Sequence, residues 1–539
     1  MALSARASAP LRTKLALLGG AVACTIPLLL LLLSVTAAWR GASADGGLPA
    51  PRVLGNLPDI VVAILGIAIT VVSIIVQLSA TRYTPRVTEL FFRDRTNLLV
   101  IGFFLVTSLH CLWINVAAQG LHVRPALAAA TLGLVTAALL LLLPYFAYVF
   151  AFLQPERLIA RLAQRTSVEA TEGARDATGA GRSQRRALGG IEQLSDIAAN
   201  AVNQQDRPVA ARGVEALAEL VERYQRTKTA LASDWFRLGA DVARDPDFAV
   251  MAPTSVAALA ATRTWFEWKV LRQFQALFEE SLGRLRDINA LVAIGTRAVA
   301  EAALKHDDPA TLQLALRFFN SYLRASINHR DVRSAYNVLH QYRGLAETLI
   351  GAGRSDAVLR VATHLRYYGQ TASSAGLPFI TETVAHDLAQ LCERSFAAGS
   401  EHHDALLLIL LGVDRPATTD VQERSLLGVR RAQAKLASAY LAAGAEAPAR
   451  RIWQDLADES AARLQRIRDD LLAATEPEFW EVVDRGQNFD YVEPARREAL
   501  LRFLAWFPQL TSVGAGSGVS ETADPARQDP RMGQIDARG

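Results

Sequence analysis

Apolar residues crowd the first third of the chain in four long blocks, at 15–38, 57–80, 98–118 and 126–153. Beyond residue 190 they recur instead at helical spacing. Each block supplies about 20 residues or more, which at 1.5 Å per residue crosses roughly 30 Å of hydrocarbon. A segment in lipid must satisfy its own backbone polar groups, so all four are expected as helices. The first block follows a leader, 1–14, with Arg6, Arg12 and Lys14. Gly41-Ala-Ser-Ala44 would suit signal-peptide cleavage, but the block exceeds the roughly 7–15 residues of such a core, so a retained span is preferred. Pro144 predicts a bend or interruption in the fourth block.

The loops are asymmetric in charge. The leader, the 81–97 loop (Arg82, Arg86, Arg93, Arg95) and the stretch after the fourth block (Arg157, Arg161, Arg165) carry most of the arginines. The opposite loops hold Arg40, Arg52 and Arg124. The positive-inside rule then predicts both termini on the cytoplasmic side of a bacterial inner membrane. In the 81–97 loop, Pro85 stops a helix, and Val87, Leu90 and Phe91 then mix with Thr88, Glu89 and Arg93 at near-helical spacing. That pattern suits an amphipathic helix at the headgroups, with a gating or docking elbow as the alternative. The elbow residues singled out are Gln77, Arg82, Tyr83, Pro85, Arg86, Arg93, Asp94 and Arg95. Within the spans, Ser73, Gln77, Ser79, His110 and Asn115 are polar. Such groups mark transport paths or tie helices together by hydrogen bonds.

After the fourth block, Glu156 to Arg165 continues as a helix. Residues 166–190, rich in Gly, Ala, Ser, Thr and charge, read as a flexible linker, so 154–190 is expected as juxtamembrane helix plus linker. From 191 to 510 amphipathic stretches alternate with breaks at Asp307-Asp-Pro309, Gly351-Ala-Gly353, Gly376-Leu-Pro378, Gly399, Arg415-Pro416 and Gly444. Pro253-Thr-Ser255 opens what reads as one long helix through Phe278. Residues 434–452 look like half of a tetratricopeptide repeat, and 335–357 like a weaker copy, with no regular period. The fold class is therefore all-α: a four-helix transmembrane unit, then a cytoplasmic tetratricopeptide-like array or irregular bundle. Helices near Glu478 to Pro508 are expected to cap it, and 511–539 to be a disordered tail.

Charge and chemistry add little. A net charge of +4 over 539 residues excludes a dedicated nucleic-acid binder. The three cysteines are scattered and form no disulfide framework or metal pair. Phosphate-loop, dinucleotide, HExxH and GxSxG patterns are missing, so no catalytic residue, cofactor or metal is assigned and no enzyme is expected. His386-Asp387 and His306-Asp307-Asp308 could ligate a metal but read better as helix-end residues, and Glu279-Glu280 and Asp469-Asp470 as solvated faces. Tyr322, Tyr336, Tyr342, Tyr367 and Tyr368 cluster in the central helices, as packing or as the lining of a peptide groove.

The run Val71-Val-Ser-Ile-Ile-Val-Gln-Leu-Ser-Ala80, Thr81-Arg-Tyr-Thr-Pro-Arg86, then Phe91-Phe-Arg-Asp-Arg95 and Leu99-Val-Ile-Gly-Phe103 resembles a family of bacterial predicted membrane proteins, the domain of unknown function 2254 family. The likeness covers about 58–153 and loosens over 193–217, where an expected Asn-Asp-Pro run is lacking. It implies a topology and no activity. Taken together, the reading is an integral membrane protein whose spans meet the lipid bilayer and whose helical domain meets a protein partner. The alternative is a homo-oligomeric channel or transporter gated by that domain.

Overall fold

The structure is a computed structural model that describes residues 56–82, 91–92, 94–120, 125–175, 179–479, 485–486 and 488–511. The first apolar block, the leader, most of the elbow and residues 512–539 of the expected tail lie outside the described residues. The chain divides into two compact units, residues 1–161 and 162–539.

Among the described residues of the first unit three helices are long and apolar enough to cross a membrane: α1 (Leu57–Arg82), α2 (Arg95–Gly120) and α3 (Pro125–Phe152). Each packs on the other two, around Val61, Cys111 and Val135. Large side chains such as Ile67, Leu99, Trp113 and Leu143 point outward, as expected where the surrounding solvent is lipid. Of the bend or interruption expected at Pro144, the interruption does not occur: the helix runs continuously through it. Ring closure removes a single backbone donor, and spanning helices tolerate that loss. Helix α4 (Pro155–Thr171) follows and contains the boundary between the units.

The second unit is helical throughout, with no strand among the described residues. The flexible linker expected over 166–190 is instead helix: the end of α4, a short turn, and the start of α5 (Ala180–Asn203). Small residues explain the misreading. Ala180, Ser183, Gln184, Ala187 and Gly190 are buried, and Gly190 lies so close to Thr166 that a Cβ there would meet its Oγ1 at 2.0 Å. Low hydrophobicity here reflects close helix approach.

Helix α6 (Arg207–Gln225) pairs with α5; α7 (Pro253–Ala261) and α8 (Trp265–Ser281) follow. The single helix expected from Pro253 to Phe278 is thus two. Arg263 takes a left-handed φ of 57°, Thr262 turns its hydroxyl back to the Ala258 carbonyl, and Trp265 donates to the Trp235 carbonyl.

Then comes a regular series: α9 (Arg286–Lys305), α10 (Pro309–Asn328), α11 (Val332–Gly351), α12 (Ser355–Ser374) and α13 (Pro378–Ala397). Each has 20 residues, and their starts are 23 apart. The links share one geometry. Asp307, Arg330, Gly353 and Gly376 adopt φ between 51° and 71°. The next residue donates its N–H five residues back: Asp308 to Ala303, Asp331 to Ser326, Arg354 to Leu349 and Leu377 to Ala372, at 2.8–2.9 Å. This is the Schellman closure, which satisfies helix-end carbonyls and reverses the chain. Asp308 and Asp331 then cap the next helix, each accepting at 3.0 Å from the amide three residues on. The sequence period judged irregular is therefore regular at one helix per 23 residues over 286–397. Its signal is hidden because Asp and Arg stand at two of the left-handed positions where glycine would advertise the turn.

Helices α14 (His403–Leu411), α15 (Asp420–Ala442), α16 (Glu446–Leu456), α17 (Ala461–Ala473) and α18 (Pro494–Leu504) complete the unit. The packing forms two layers. One runs α6, α9, α11, α13, α15 and the other α5, α8, α10, α12, α14, α16, each helix touching the next in its own layer. Sequential hairpins join the layers, the arrangement of a helical solenoid. Between α17 and α18 the segment 474–493 forms no helix among its described residues, so of the helices expected over Glu478 to Pro508 the first is α18, which packs on α15.

Candidate functional site

In the membrane unit, the Phe-Phe-Arg-Asp-Arg run at 91–95 becomes a hinge of polar contacts at one end of the spans. Asp94 accepts from the backbone amides of Thr96 at 2.9 Å and Asn97 at 3.4 Å, starting α2, and also receives the Tyr148 hydroxyl from α3. Asn97, fully buried, donates to the Phe91 carbonyl at 3.3 Å and accepts from the Tyr145 hydroxyl at 2.5 Å. The Phe91 ring, also buried, meets Phe152 edge-on at 5.6 Å, and Arg161 lies 4.3 Å over the Phe152 ring. One aspartate and one asparagine thus tie the entry to α2 onto α3. Two tyrosines and Asn97, absent from the expected elbow set, complete this hinge.

The other expected residues disperse. Gln77 and Arg95 are exposed and Asn115 is half-buried. Arg82 closes α1, while Tyr83, Pro85, Arg86 and Arg93 lie outside the described residues. His110 faces Thr131 of α3 at 3.1 Å, an interhelical hydrogen bond.

The second unit concentrates its buried charge where α11, α13 and α15 of one layer meet α17 and residues 485–493. Arg431 of α15 is 3% exposed and reaches Glu382 of α13 at 2.5 Å, Asp470 of α17 at 2.8 Å and Asp490 at 3.1 Å. One turn along α13, Asp387 is buried between Arg343 of α11 at 3.1 Å and Arg485 at 2.6 Å. Burial raises the Asp387 carboxyl above its ordinary pKa, against the pull of the two guanidinium groups. Arg485 also donates to the Tyr336 carbonyl at 2.8 Å and lies 4.1 Å over the Tyr336 ring. Four residues on, Phe489 stacks on His386 with centroids 4.6 Å apart and planes 12° from parallel, with Phe379 and Tyr336 behind it. Lys435 of α15 donates to the Phe489 carbonyl at 3.1 Å.

His386-Asp387 was expected at a helix end; both residues sit mid-helix in α13 and are buried. Asp469 is exposed as expected, while Asp470 is drawn into the Arg431 cluster. Asp308 does lie at a helix start, and burial disfavours its charge. Lys228 at 2.6 Å, aided by Thr311, nonetheless holds its carboxyl below the usual value. The tyrosines split: Tyr322 and Tyr342 are core, while Tyr336 lines the groove under Arg485. Glu382, His386 and Asp490 offer ligand atoms within 4.8 Å of one another, a geometry a divalent metal could use. The Arg431 guanidinium already lies on both carboxylates, and a second cation there would meet its charge. The donor set therefore suits an arginine better than a metal. A sequence signal for this centre existed: Glu382, His386, Asp387 and Arg431 interrupt otherwise apolar helical stripes, and charges on a buried stripe require partners.

Residues 12–214 match the family model described as Predicted membrane protein (DUF2254). The matched region runs from just before the first apolar block to the middle of α6. No curated protein matches the chain. Among solved structures, one described as a circular tandem repeat protein with novel repeat topology and enhanced subunit contact surfaces aligns over 87% of this chain and 99% of its own. It is 16% identical with a TM-score of 0.26, too poor an overlay to carry any argument.

Proposed function

We propose that this chain, with its predicted-membrane-protein region, is a membrane-anchored interaction protein that works by holding a protein partner rather than by catalysis. The spans anchor it in a bacterial inner membrane with both termini cytoplasmic, as the arginine distribution suggests. The observation that carries the reading is the two-layered stacking of α5 to α16, because such arrays build long continuous surfaces suited to other proteins. Two features of the spans support an anchor over a conduit. His110 and Thr131 face one another, and Asn97 and Tyr145 are bonded, so these polar groups tie helices together.

The test uses the full chain in lipid nanodiscs with a photo-crosslinker at exposed positions of the array, such as Tyr367 on α12 and Leu408 on α14. A defined protein crosslinked at array positions in stoichiometric yield is the expected result. Ion flux in liposomes that His110→Ala abolishes, with no protein captured, would overturn the reading in favour of a channel.

A further inference from the structure

The face formed by α11, α13 and α15 is not bare. Residues 485–486 and 488–493 lie on it, and they are held as a bound peptide is held. Asp490 pairs with Arg431 and Val492 is buried, and two further side chains four residues apart enter defined sites. Arg485 enters a site made of the Asp387 carboxylate, the Tyr336 carbonyl and the Tyr336 ring. Phe489 enters an aromatic site made of His386, Phe379 and Tyr336. A buried arginine and an aromatic ring are the side chains that most often dominate recognition at protein interfaces. Within the segment the amides of Asp490 and Tyr491 donate to Asn488 and the Asn488 amide to the Pro477 carbonyl, while Lys435, Arg497 and the Arg496 amide donate to the Phe489, Val492 and Glu493 carbonyls. Phe489 itself stays half-exposed.

The face also has the charge balance to survive without the segment. Asp387 keeps Arg343 when Arg485 leaves, and Glu382 keeps Arg431 when Asp490 leaves. Stranding a buried charge would make opening prohibitive, and both buried acids of α13 keep a cation supplied by the helices. The helices beneath pack on one another and on the second layer, so the face stands as built. Helices α17 and α18, both packed on α15, tether the segment at its two ends.

We propose that residues 485–493 are an internal ligand, and that the face accepts in their place an extended peptide of a partner protein carrying an arginine with an aromatic residue four positions later. This rests on the interaction reading above and names the partner's chemistry. While closed, the tethered segment competes at the high effective concentration of a short linker, so the partner binds only what the segment vacates.

The probe is a fluorescent synthetic peptide of residues 485–493, titrated into the full chain in nanodiscs. Arg485→Ala with Phe489→Ala in the chain removes the internal competitor. The double variant should bind the peptide about tenfold tighter or more than the unmodified chain, since occupancy by the internal segment scales the apparent Kd. A peptide with alanine at the arginine position should lose that binding. Equal affinity in both chains, or no effect of the peptide's arginine, overturns the proposal.

Because the double variant could fold poorly, hydrogen exchange on the unmodified chain gives a second reading. Amides of 488–493 should exchange at least about a hundredfold faster than those of α13 and α15, by local opening. Exchange only together with those helices overturns the proposal, as does a crosslink joining Arg485 of one copy to Asp387 of another. A captured protein crosslinked elsewhere and indifferent to the peptide would sink this inference and leave the anchored-interaction reading standing. Peptide binding with no captured protein would keep the segment as an internal ligand but overturn its replacement by a partner, together with the anchored-interaction reading.

Discussion

Replacing Arg431 by methionine keeps much of the aliphatic stem and removes one guanidinium from three carboxylates. Asp470 is a third exposed and water can serve it, so it adds little. Glu382 and Asp490, at 6% and 12% side-chain exposure, carry the cost. Each can escape by taking up a proton, which caps the penalty. For a carboxyl of ordinary pKa near 4.3 at pH 7, protonation costs about 3.7 kcal/mol, at 1.36 kcal/mol per pH unit. Lys435 still attracts Asp490, so most of one such penalty remains, about 3 kcal/mol, at the low end of the 3–5 kcal/mol typical of a broken buried pair. At pH 5 the same escape costs about 1 kcal/mol, so the defect should largely vanish. The assay is denaturant unfolding of the full chain in nanodiscs at both pH values, followed by hydrogen exchange of α13 and α15. Adding Glu382→Met to Arg431→Met should recover at least half of the loss. A pH-independent loss, or one below about 1 kcal/mol at pH 7, would refute the charge argument and leave only the packing of the stem.

Three further outcomes follow from particular residues. At the helix links, Gly353→Ala should destabilise the array by about 1 kcal/mol from backbone strain alone, because a Cβ there meets nothing within 4 Å while φ is +67°. Asp307→Gly, at φ 51°, should stabilise it or be neutral in the same melting experiment. In α12, His364 Nδ1 faces the Tyr342 hydroxyl at 2.9 Å and the Asn320 amide at 3.2 Å, and burial, reinforced by Arg360, lowers its pKa below 6.5. The neutral ring is the folded form, so stability is complete above pH 6.5 and falls as pH drops through the folded pKa. His364→Gln should reduce that loss in melts between pH 7 and 5, leaving the slope from His403, whose pKa burial also lowers. In the membrane unit, Tyr145→Phe should cost about 1 kcal/mol by taking a donor from buried Asn97, read as faster exchange at the start of α2.

The chain's own order determined a good deal. Long apolar blocks dictate helices in lipid whatever packs beside them, and α1, α2 and α3 begin and end within a few residues of the blocks read from hydropathy. The helical character of 191–510 was equally plain, since amphipathic spacing and Gly or Pro breaks act locally. Only the tertiary structure decided the rest. Residues 166–190 look like a linker because small side chains are what close helix packing requires, and composition alone does not distinguish the two uses. The 23-residue period escaped notice because Asp307 and Arg330 fill left-handed turns that glycine would have announced, at a strain that packing on both sides repays. The groove is the clearest case. Tyr336, Asp387, Arg431 and Arg485 span 149 residues from first to last, and nothing local relates them. Their meeting is set by how successive hairpins stack, a sum of many weak contacts, so chemistry that depends on it becomes legible only once the layers are in place.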